Sequence, residues 1–221
     1  MTARAGSIPA RIMVCPGAAA GNARRMTPPP PALSLSNGPA LSLSNGLLLC
    51  IDLQPVFLAA ICDSQRVHWR CSFAIEAAKG LGLPVLFTEQ VPAKLGGTAE
   101  DLLALCEKPE AMGKDAFSAF GNAKIAERLH GSGAKHLLLC GIETPVCVYQ
   151  TARDALKAGH AVTVLADCVG ARRAGDAATV LTHLAAAGCG VLPAETVFYA
   201  LLQNARHPFF RDYTALVKKY G

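Results

Sequence analysis

Two short apolar runs constrain this chain more than any other feature: residues 47–53, LLLCIDL, and 136–142, HLLLCGI. Neither alternates apolar with polar positions, as a strand with one solvated face would. Each therefore reads as a strand covered on both sides, the situation of central strands in a parallel sheet. The second run leads into ETPVCVYQTARDALKAG, which reads as a tight turn and a helix over 145–158. Thr144 is expected to cap that helix through its hydroxyl, and Pro145 suits the first helical position, where a missing N–H costs nothing. Cys147 then falls in the first turn, where free N–H groups and the positive end of the helix dipole favour a thiolate. Cysteines of this kind also serve as plain core packing, and the local pattern leaves both readings open.

The rest of the chain repeats the same alternation. Strands are expected at 83–88, 160–168 and 190–192, and helices at 66–80, 98–106, 123–130, 174–187, 195–204 and 208–219. Ala74, Ala77 and Ala78 give the first of these helices a small-residue face, and Lys218 and Lys219 suit the C-terminal dipole of the last. Strands alternating with long helices indicate βαβ units, hence an α/β fold with three layers, α/β/α, around a mainly parallel sheet. Open sheets of this type bind ligands beyond the carboxyl ends of their strands. Asp52, Glu89 and Cys147 all fall at or just past such ends.

Composition sets the outer limits. At 52% apolar and 17% charged residues the 221-residue chain is globular, with one core as the default. Its formal charge of +5 is unevenly spread: residues 1–45 hold Arg4, Arg11, Arg24 and Arg25 and no acid, leaving 17 basic and 16 acidic residues in the body. A body at +1 excludes a nucleic-acid surface, which needs clustered cations. Residues 1–46 are rich in Ala, Gly, Pro and Ser, carry four consecutive prolines and repeat PALSLSNG twice. They read as a low-complexity, disordered leader before a domain over 47–221, although Leu-Ser alternation closed by Asn-Gly is also a hairpin signal. Nine cysteines, an odd number without a CxxC pair, suit a reducing cytoplasm rather than a disulfide framework. No run approaches the ~18 apolar residues of a membrane span, and no hydrophobic signal core opens the chain.

Asp52 leaves a buried strand, where it serves either as a turn cap or as a general base of altered pKa. Lys114 lies in the extended segment MGKDAFSAF; it reads either as a solvated lysine or as a cation that steadies a carboxylate and a thiolate. Asp167 ends a strand, where capping and a place in the site are equally open. Arg172 and Arg173 beside Asp176 read as a solvated turn in preference to an anion contact.

Taken together, DLQPVF after a buried strand, TEQVPAKLGGT, KDAFSAF, GIETPVCVYQTARDAL, VLADCVGARRAGD and ETVFYALLQNARHPFF resemble the isochorismatase-like cysteine hydrolase superfamily over about residues 46–221. They are most similar to its small isochorismatase-domain subgroup. The resemblance implies a six-stranded parallel sheet and an Asp-Lys-Cys triad, which falls on Asp52, Lys114 and Cys147. It also implies a non-proline cis peptide between Ile142 and Glu143, with the Glu143 and Cys147 N–H groups forming an oxyanion hole. The implied reaction is cofactor-independent hydrolysis of a small amide, ester or related substrate, by a homo-oligomer.

Gln54, Phe57, Glu89 and Phe117 are candidates for the pocket wall. Nicotinamidases of the superfamily hold a metal through an Asp-x-His…His set, for which Thr88-Glu89-Gln90-Val91-Pro92 offers no histidine, so no metal is expected. True isochorismatases lack the nucleophilic cysteine, which argues against isochorismate as substrate. Two other classes stay in view: a thiol redox protein using Cys147 and a non-catalytic ligand-binding relative. Neither a GxGxxG turn, a phosphate loop nor a GxSxG elbow occurs where its chemistry would need it.

Overall fold

The computed structural model describes residues 38–221. Its elements are β1 (Gly46–Ile51), α1 (Pro55–Leu58), α2 (Ser64–Gly80), β2 (Val85–Gln90), α3 (Pro92–Leu95), α4 (Glu100–Leu103) and β3 (Glu110–Lys114). After these come α5 (Ala123–Gly131), β4 (His136–Ile142), one π-helical turn (Thr144–Val148), α6 (Tyr149–Lys157) and β5 (Ala161–Gly170). The chain closes with α7 (Ala174–Ala186), β6 (Gly190–Leu192), α8 (Ala194–Leu202) and α9 (Phe210–Tyr220).

All six strands are parallel, in the order β3-β2-β1-β4-β5-β6. β1 and β4 sit at the centre, and every residue of both is buried, as their unbroken apolar character demands. Alternation along them splits the core in two. Leu48, Cys50, Leu138 and Cys140 pack with α2, α8 and α9 on one face, while Leu47, Leu49, Leu137 and Leu139 pack with α5, α6 and α7 on the other. The order reverses between β1 and β4, so the crevice of the fold opens where their carboxyl ends diverge.

Two expectations need correction. Residues 1–37 of the expected leader lie outside the described residues, but its last stretch packs on the domain. Leu41 joins the core, and Asn45 accepts the Ala40-to-Gly46 turn's geometry through its side chain, its Oδ1 taking the Ser42 N–H at 2.8 Å while its Nδ2 donates to the Ala40 carbonyl at 2.9 Å. Asn-Gly thus makes a turn that leads straight into β1, and this copy of the repeat, residues 39–46, is ordered against the domain. The sixth strand is Glu110–Lys114 (EAMGK), a segment too short and too polar to carry a strand pattern; it lies at the sheet edge beside β2.

Gly141 shows how tightly the centre is built. It adopts φ +110, and a Cβ there would stand 2.1 Å from the Ile51 carbonyl oxygen, on the neighbouring strand. Both the conformation and the space require glycine. Gly141→Ala should lower stability by about 2 kcal/mol or more. Denaturant unfolding checks this, and a loss below about 0.5 kcal/mol, the usual range of neutral surface changes, would contradict it.

Candidate active site

Asp52 is the first residue past β1, held at φ 50 in the left-handed region that Asp tolerates better than most side chains. Its N–H donates to the Thr88 carbonyl at 3.0 Å, which continues the β1–β2 ladder one residue beyond the strand. One carboxylate oxygen accepts the Thr88 hydroxyl at 2.8 Å and the other accepts Lys114 Nζ at 2.7 Å. Lys114 ends β3, two strands away, a gap of roughly 9.6 Å at the usual strand spacing. Its long apolar stem passes beside β2, and the whole side chain is sequestered from solvent.

A pair of glutamines fixes this ion pair from behind. Gln54 clamps the end of β2: its Oε1 accepts the Gln90 N–H at 2.6 Å, and its Nε2 donates to the Gln90 carbonyl at 3.0 Å and to the Gly96 carbonyl at 2.6 Å. The Gln90 side chain then accepts from Lys114 Nζ at 2.6 Å and donates to the Asp115 carbonyl at 2.8 Å. These bonds determine which way the Gln90 amide faces, so that its oxygen meets the ammonium.

Cys147 comes from the other side of the crevice. It lies in the π-helical turn between β4 and α6, where the Glu143 carbonyl accepts the Val146 N–H at 3.0 Å and the Val148 N–H at 3.2 Å, passing over Cys147 between them. The sequence pattern suggested an ordinary α-helical first turn capped by Thr144. Thr144 instead lies inside the turn, fully buried, and donates its hydroxyl to the Gly170 carbonyl at 2.9 Å, because a buried hydroxyl needs a partner and the end of β5 supplies one. The Ile142–Glu143 peptide is cis. The Glu143 carboxylate is held by Arg172, whose N–H meets Oε1 at 3.1 Å and whose Nε meets Oε2 at 3.0 Å.

Cys147 lines the same cavity as Asp52 and Glu143, close enough for both to act on its proton affinity. Burial pushes the thiol up to about 12, and the Asp52 charge pushes the same way; Lys114 and the Glu143 N–H pull it down without prevailing. Loss of water and the nearby carboxylate thus outweigh one ammonium and the helix-end N–H groups that would favour a thiolate. Burial also raises the Asp52 carboxyl, against the pull of Lys114 and of the hydrogen bonds from Lys114 and Thr88.

A cavity of about 470 Å³ opens above these groups. Asp52, Phe57, Phe117, Ile142, Glu143 and Cys147 line it, while Lys114 is outside the lining. Gln54 and Glu89 do not line it. Gln54 is spent on the β2 backbone, and Glu89 Oε1 accepts the Thr98 N–H at 2.8 Å and the Thr98 hydroxyl at 3.0 Å, which turns it toward the loop. Ala60, Ile61, Gln90, Val146 and Arg172 complete the lining. Gln90 was missed as a site residue, its place at the end of a strand being the available signal, and Arg172, expected in a solvated turn, reaches the lining. Asp167 takes the capping role, accepting the Ala194 N–H at 2.7 Å and pairing with Arg70 at 2.8 Å.

Comparison with known proteins bears on the same residues. The isochorismatase domain model matches residues 46–196. Zebrafish isochorismatase domain-containing protein 2 is 32% identical over 171 residues, 77% of this chain and 85% of that protein. Mouse isochorismatase domain-containing protein 2A is 32% identical over 174 residues, covering 78% and 82%. Among solved structures, one described as the MAR1 ribonuclease of Caenorhabditis elegans superposes with a TM-score of 0.76 at 28% identity, over 80% of this chain and 92% of that one. An Escherichia coli protein described as an octameric hydrolase of unknown specificity gives 0.72 at 21% identity, over 81% and 95%.

Removing one member of the buried ion pair exposes its energetics. Lys114→Met should cost about 3–5 kcal/mol at pH 7, because it strands a buried carboxylate. Asp52's folded pKa is already raised, so its ionised form opposes folding, and stability is lost as pH rises through that pKa. Without Lys114 this opposition grows, and acidification should return stability to the variant relative to the parent protein. Urea unfolding at pH 7 and pH 5 measures both; a gap between variant and parent that does not narrow at pH 5 would contradict the assignment.

Proposed function

The chain belongs to the isochorismatase family, and from that membership we propose that it is a cysteine hydrolase, needing no cofactor, for a small amide, ester or related carbonyl compound. The observation that carries the reading is the convergence of Cys147 and Asp52 on one cavity, with the Asp52 carboxylate itself held by the buried Lys114 ammonium at 2.7 Å.

A neutral thiol near an ionised carboxylate is the starting state for base-assisted attack. Asp52 takes the thiol proton as Sγ forms a bond to the carbonyl carbon, and the carbonyl electron pair moves to oxygen. The Glu143 and Cys147 N–H groups meet this oxyanion; donors so placed are each worth about 10²–10³ in rate. As the C=O bond re-forms, the leaving amine or alcohol departs with the proton from Asp52, leaving a thioester. Water then adds to the thioester carbon, giving its proton to Asp52, and collapse of the adduct expels the Cys147 sulfur, which recovers that proton. Lys114, steadied by Gln90, keeps Asp52 ionised between proton transfers.

The thiol redox reading has less support, since a redox cysteine works through a low pKa and Cys147 has been moved the other way. Ribonuclease activity, the description carried by the nematode relative, lacks a cationic surface here, with 17 basic against 16 acidic residues after position 45. A reducing compartment such as the cytoplasm is supported by eight free cysteines among the described residues. No helix among those residues is long and apolar enough to cross a membrane. Self-association is part of the proposal: Val56, Trp69, Phe117 and Tyr199 are large exposed apolar side chains. Light scattering should give a multiple of 23.0 kDa, and a monomer mass at micromolar concentration would contradict it.

A panel of small amides and esters tests the chemistry. Cys147→Ala and Asp52→Asn should each reduce hydrolysis by about 10³-fold or more, as loss of a nucleophile or its base does elsewhere. In the parent protein kcat/KM should fall as pH drops through the Asp52 pKa, with the limb displaced above the ordinary carboxylate range because that pKa is raised. Turnover that survives Cys147→Ala would exclude the mechanism.

A further inference from the structure

The charges around the cavity cancel in pairs. Two cations stand there, Lys114 and Arg172, and two carboxylates, Asp52 and Glu143. Lys114 meets Asp52 at 2.7 Å and Arg172 meets Glu143 at 3.0 Å, while the Arg172 backbone N–H takes the second Glu143 oxygen at 3.1 Å. Arg173, next along, is turned to Asp176 at 2.7 Å. Beyond these pairs the lining includes Gln90, whose amide is taken up by Lys114 and the Asp115 carbonyl, and the apolar side chains of Phe57, Ala60, Ile61, Phe117 and Val146.

A ligand carboxylate or phosphate in this space would be a third negative group facing two cations already matched. To bind it, the Arg172 guanidinium, whose Nε is already on Glu143, would have to hold two negative groups side by side, one of them a carboxylate only 17% exposed, so that like-charge repulsion offsets the gain. A ligand ammonium meets the mirror problem at Asp52 and Glu143. An uncharged body loses nothing by entering and gains from covering the apolar wall. We propose that the cavity selects uncharged carbonyl compounds with an apolar aliphatic or aromatic body, such as primary amides and simple esters, and discriminates against those bearing an anion. This rests on the hydrolase reading for the chemistry but not for the binding preference.

Binding to the Cys147→Ala protein isolates the preference from turnover. Calorimetric titration would compare benzamide with 4-carbamoylbenzoate and hexanamide with 6-amino-6-oxohexanoate, pairs that differ by one carboxylate. The neutral member of each pair should bind at least about tenfold tighter. Glu143→Gln, made in the same background, frees Arg172 from its counter-charge and should narrow that gap at least about fivefold. Equal or tighter binding of the carboxylates, no measurable binding of either amide, or a gap unchanged by Glu143→Gln would each overturn the proposal. Parent-protein turnover separates the two levels. Neutral amides that bind as expected but are not hydrolysed would sink the hydrolase reading alone. Carboxylates that are bound and hydrolysed in preference would sink the selectivity alone.

Discussion

A buried ammonium–carboxylate pair, Lys114 with Asp52 at 2.7 Å, is the contact on which the site depends. Charges so far from water are tolerated only when their remaining hydrogen-bonding capacity is met. The fold meets it from β2 and from the turn that follows β1. Thr88 on β2 donates to one Asp52 oxygen, Gln90 at the end of β2 accepts from Lys114, and Gln54 secures the backbone of Gln90. A site of this kind cannot be assembled on one loop. It needs parallel strands in register, whose ends bring residues 52, 88, 90 and 114 to a common edge.

The same pair sets the state of Cys147. A free ammonium beside a thiol would draw it toward thiolate, but this ammonium is already matched by Asp52, so the carboxylate and the loss of water hold the thiol neutral. Matching of charge extends outward to Glu143 and Arg172, and the cavity between the two pairs presents mostly apolar surface. One rule thus runs through both pairs, that each of these charges beside the crevice already has its partner.

How far the sequence could be read follows from what each element's pattern records. β1 and β4 were plain because both faces are buried and the residues are uniformly apolar; their ends located Asp52 and the Cys147 turn. Lys114 was found through its motif rather than its strand, since β3 is a five-residue edge strand whose exposed positions erase the pattern. The π-helical turn was read as α-helix because proline and threonine at its start suit either, and the difference lies in a carbonyl that skips one N–H. Gln54 and Gln90 carry no periodicity at all: a buried amide is legible only once its partners, 36 residues apart, are brought together. Glu143 and Arg172, 29 residues apart, are hidden for the same reason.

The central claim is that Cys147 becomes transiently acylated with Asp52 as its base. Intact-mass spectrometry after acid quenching of the protein with a slowly deacylating neutral ester, followed by peptide mapping, tests it most directly. The account predicts one added acyl group, on Cys147, which is lost in Cys147→Ala and strongly reduced in Asp52→Asn. Acylation confined to another cysteine such as the exposed Cys62, or full ester turnover with no trapped acyl group and no dependence on Cys147, would contradict it.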